Sequence, residues 1–60
     1  MEWIREEIMA LLERTLERKE KYQEFYLYAT NKEMKARYKI IMEEAKILES
    51  QLREILESEN

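Results

Sequence analysis

Sixty residues pass without a single glycine or proline. Those two residues supply most tight turns, so their absence excludes all-β and loop-rich folds. Glu, Lys, Leu, Arg, Met and Ala dominate instead, and these are strong helix formers. The length allows one domain. Apolar residues are 45% and charged residues 42%, of mixed sign. That is enough apolar surface to drive collapse, so an ordered all-α chain is expected rather than disorder.

The apolar pattern has the period of a helix. One face of the first half runs through Ile4, Ile8, Leu11, Thr15, Tyr22, Phe25 and Ala29, with Arg18 at the one missing step. The second half repeats the alternating three and four spacing at Met34, Tyr38, Ile41, Ala45, Leu48, Leu52 and Ile55. Further apolar residues flank both faces: Met9, Leu12 and Leu16 on the first, Ile40, Met42, Ile47 and Leu56 on the second. Such a stripe is too wide for one partner helix.

Both faces are interrupted at Ala29-Thr30-Asn31-Lys32. Thr30 with Glu33 fits a capping box at a helix start, and Asn31 suits the left-handed conformation that closes a preceding helix. One continuous helix of nearly the whole chain satisfies the same composition, but the paired interruption favours a hairpin. The expectation is a single helical-hairpin domain over 1–60, with helix one at about 2–29, a turn at about 30–31 and helix two at about 32–58. Two helices cannot cover two wide stripes, so a homodimeric four-helix bundle is the simplest assembly.

Composition also limits chemistry. No His removes the usual general base and metal ligand, and no Cys removes thiolate sites and disulfides. The lack of Cys suits a reducing cytoplasm, the expected compartment. No apolar run reaches the length of a bilayer span, and the opening Met1-Glu2-Trp3-Ile4-Arg5-Glu6-Glu7 is too acidic for a secretory signal. No membrane partner is expected. No phosphate-cradling loop or nucleophile–base set can be assembled, so no cofactor and no enzymatic activity are expected.

Glu43 and Glu44 are adjacent, and Glu44 sits among Ile40, Ile41, Ile47 and Leu48. A rim carboxylate reaching solvent is the plain reading. A carboxylate inside a bundle is the functional one. Here the chain resembles ferritin-like proteins, the rubrerythrins and bacterioferritins. Gln23-Glu24-Phe25-Tyr26-Leu27-Tyr28-Ala29 is similar to the aromatic stretch of their first helix, and Glu43-Glu44-Ala45-Lys46-Ile47-Leu48 to the metal-binding segment of their second. The resemblance covers about residues 17–57. It implies half of a four-helix bundle in which Glu44 alone matches a metal ligand; a shifted carboxylate set from Glu17, Glu20 or Glu24 with Glu43 or Glu44 is the metal-binding alternative. The family's histidine ligand falls on Ile47, however, and its first-helix glutamate on Arg18. The resemblance therefore implies a bundle without the metal centre. Independently, a hairpin turning near residues 30–31 brings Arg18 level with about Ile41 to Glu43, so an interhelical Arg18–Glu44 or Arg18–Glu43 pair is expected. Ser50-Gln51 also resembles, more distantly, helical-hairpin phosphatases of sporulation response regulators, without their aspartate.

The expected interface comprises Leu12, Leu16, Tyr22, Phe25, Tyr26, Tyr38, Ile40 and Ile47, because Tyr suits surfaces that stay partly wet. Glu17–Lys21, Glu33–Arg37 and Glu49–Arg53 have the favourable order for helix-stabilising pairs. Charge is unevenly placed. Residues 18–39 carry seven cations and three Glu, a net of +4, while the rest carry four cations and eleven Glu, a net of −7. The overall −3 argues against nucleic acid, and a small RNA-binding hairpin dimer is a further alternative resting on the basic tip. The sequence reads as a non-enzymatic interaction or structural module whose partner is a second copy of itself, in a dimer or a higher oligomer, with docking of an unidentified protein on the aromatic surface as the alternative.

Overall fold

A computed structural model describes the backbone of residues 2–58 and the side chains of 3–58. It has two helices, α1 (Glu2–Tyr28) and α2 (Lys32–Ser58), packed against each other as a hairpin. Each has 27 residues, about 40 Å at 1.5 Å per residue. The Cα trace is a rod of 45 × 15 × 11 Å.

The turn is built differently from the expected capping box. The Ala29 amide donates to the Phe25 carbonyl at 2.9 Å, extending the α1 ladder by one residue. Asn31 then starts α2. Its Oδ1 accepts from the amides of Glu33 (2.8 Å) and Met34 (3.3 Å), and its carbonyl accepts from Lys35 at 2.9 Å. Asn31 is therefore the N-cap, which places Met34 at the box position and Glu33 one residue too early to close a box with Asn31, so the expected Thr30–Glu33 box does not form. No described residue has a positive φ, so Asn31 does not close α1 in a left-handed conformation.

The helices meet on a face rotated from the expected one. Thr15, Met42, Ala45 and Leu52 are the most buried side chains. Ile8, Leu12, Lys19, Tyr22 and Tyr26 are half-buried beside them on α1, while Leu11, Arg18 and Phe25 are exposed. Thr15 and Ala45 are small and let the helices approach. The buried Thr15 hydroxyl donates to the Leu11 carbonyl at 2.8 Å, so it has a partner within its own helix. Nearer the turn, Tyr22, Phe25 and Tyr38 form a three-ring cluster with centroids 5.4–5.9 Å apart, which joins the two helices. No described large side chain is fully buried.

Candidate functional site

The rotation involves both helices, since on α2 Met34, Leu48 and Ile55 are exposed while Met42 is buried and Leu56 half-buried, and it leaves an open groove along one side of the hairpin. Leu11, Arg14, Thr15 and Arg18 line it from α1, and Ile41, Glu44, Ala45 and Leu48 from α2. The apolar residues here repeat every seven positions. Ile4, Leu11 and Phe25 form one row with Arg18 as its only charged member, and Met34, Ile41, Leu48 and Ile55 form the other. A seven-residue repeat keeps a row on one face of a helix. Leu11, Phe25, Met34, Leu48 and Ile55 remain exposed along it.

Charges border this groove without filling it. Arg18 and Glu44 line the same wall section but form no ion pair, so the expected Arg18–Glu44 or Arg18–Glu43 pair is absent among the described residues. The Arg18 guanidinium lies over the Tyr22 ring, 5.6 Å from its centroid. The interhelical ion pair is formed instead by Lys19 Nζ and Glu49 Oε1 at 2.6 Å, with Arg53 Nε on Glu49 Oε2 at 3.0 Å. The shift follows from the rotation. Turning α1 moves Arg18 outward and brings its neighbour Lys19 to the flank that faces α2. Hydrogen bonds from Lys19 and then Arg53 hold the Glu49 carboxyl below its ordinary range. Of the three spaced pairs expected within helices, Glu49–Arg53 is the one formed.

The other expected site residues are distributed as follows. Tyr22, Tyr26, Tyr38, Leu12 and Leu16 are half-buried within the single hairpin, so much of their surface is already covered. Phe25, Ile40 and Ile47 are exposed. Glu20 and Glu24 are exposed on α1 and do not line the groove that holds Glu44. Among the described residues no three metal-ligating side chains come together, and no helix is long and apolar enough to cross a membrane.

The tip carries aromatic and basic groups together. Lys21 Nζ lies 5.8 Å from the Phe25 centroid and Lys35 Nζ 5.1 Å from that of Tyr26. These distances are within the range of cation–π attraction. Three cations of the basic half, Arg18 included, are thus held over rings of the tip.

No protein-family model, curated protein or solved structure matches the chain.

Proposed function

We propose that the chain is a non-enzymatic helical-hairpin interaction module that assembles as a homodimeric four-helix bundle through the open groove. The observation that carries this reading is the pair of apolar seven-residue rows left exposed on one side. Area supports it. The single chain has 5149 Å² of accessible surface, against about 4,200 Å² for a compact monomer of this mass. The excess is close to the roughly 800 Å² per partner that a standard interface buries. A ring of charges, Arg14, Arg18 and Glu44, borders an apolar floor, the usual anatomy of such a surface.

Sedimentation equilibrium tests the reading. The native chain should sediment at twice its chain mass in the micromolar range. Leu11→Glu with Leu48→Glu should sediment as a helical monomer, because both charges enter the groove floor. A native chain that stays monomeric throughout that range overturns the proposal.

A further inference from the structure

Resting on the groove as the self-association surface, we infer that the second copy docks antiparallel, with a two-fold axis crossing the rod at the level of Thr15 and Ala45. In this arrangement α1 lies along the partner's α1 and α2 along the partner's α2, and the two turns point to opposite ends. The exposed residues beside the groove then meet in complementary pairs.

Trp3 and Tyr28 stand at the two ends of α1, 58% and 82% exposed. They are 25 residues apart, about seven turns, so they share a face. Glu7 and Lys21 are 14 residues apart on an adjoining line, about four turns. Glu7 borders Ile4 and Leu11, and Lys21 borders Arg18. Both pairs have their sequence midpoints within two residues of Thr15. The groove rows behave alike: Ile4 with Phe25 and Leu11 with Arg18 are centred beside Thr15, and Met34 with Ile55 and Ile41 with Leu48 beside Ala45.

A two-fold axis at that level sets Trp3 against the partner's Tyr28 and Glu7 against the partner's Lys21. It also sets the +4 tip half of each rod against the −7 half of the other, the complementary arrangement that favours association. The parallel alternative joins tip to tip. It places both Arg18 side chains in one layer and brings Lys21 towards the partner's Arg37.

The chain has no native cysteine, and Thr30 is exposed at the tip outside both helices. A nitroxide on Thr30→Cys therefore reports tip-to-tip distance by pulsed electron paramagnetic resonance. The antiparallel dimer gives a separation near the 45 Å length of the rod. The parallel dimer gives about 10–15 Å, set by interhelical spacing, and a short or mixed distribution overturns the inference. Charge exchange tests the register. Glu7→Lys should weaken dimerisation about tenfold over its two copies, and adding Lys21→Glu should restore it. A double variant no tighter than Glu7→Lys removes this register. A labelled chain that sediments as a monomer and shows no dipolar signal defeats the underlying self-association reading instead.

Discussion

The carboxamide of Asn31 accepts from two of the amides that a helix start leaves free, while Thr30 beside it forms no hydrogen bond. Asn31→Ala should therefore lower unfolding free energy in urea by about 1 kcal/mol, and Thr30→Ala should change it little. The reverse order would place the cap at Thr30. Glu49 is the other residue whose chemistry is set by its neighbours. Its carboxyl is held below the ordinary value of 4.5 by Lys19 first and Arg53 second. For a lowered pKa the sign is fixed. The stabilisation is fully present above the unfolded value and is lost as pH falls through the folded one. Between about pH 6 and about pH 3, the melting temperature of Glu49→Gln should fall less than that of the native chain. Equal falls across that window would show that Glu49 contributes nothing to the acid limb.

Between the two helices, packing depends on few large groups, and Tyr38 is one of them. It touches the rings of both Tyr22 and Phe25 across the hairpin. Tyr38→Ala should cost about 2 kcal/mol, less than a fully buried aromatic because Tyr38 is half-buried. Thermal unfolding followed by circular dichroism measures this, and a loss near zero would show that the cluster does not hold the tip. The helices themselves were legible in the sequence, because no glycine or proline breaks either half and the apolar period is unbroken in the second. The turn was legible to within a residue, but the cap was not, since Thr30 and Asn31 are both good caps and only the observed hydrogen bonds choose between them. The rotation of α1 was harder still. Apolar residues surround much of that helix, so periodicity alone did not say that Leu12 and Lys19 would face α2 in preference to Leu11 and Arg18. The same ambiguity holds on α2, where Met42 and Glu49 face α1 in preference to Ile41 and Leu48, and the missed Lys19–Glu49 pair and the open groove follow from the two together.

As a whole molecule, the hairpin is elongated and leaves more surface uncovered, 5149 Å², than the roughly 4,200 Å² of a compact chain of its mass. Its radius of gyration is 13.9 Å, against about 10 Å for a compact domain of the same length. Arg18 gives a measure of whether the groove is where this excess is covered. It is exposed, its guanidinium rests on Tyr22, and it is the only charged member of the two apolar rows. In the monomer, Arg18→Leu loses one exposed cation–π contact, worth about 0.5–1 kcal/mol, and gains nothing in the hairpin core. In the proposed dimer the same change removes a guanidinium that must be partly desolvated and completes an apolar row through the interface. The two effects have opposite signs and separate by concentration. The variant should melt slightly lower than the native chain at high dilution and higher at high concentration, with dimerisation tightened about tenfold. Melting curves over a wide concentration range, paired with sedimentation equilibrium, measure both. A melting temperature independent of concentration in native chain and variant alike would mean that the apolar rows take no part in self-association, whatever the orientation of the copies.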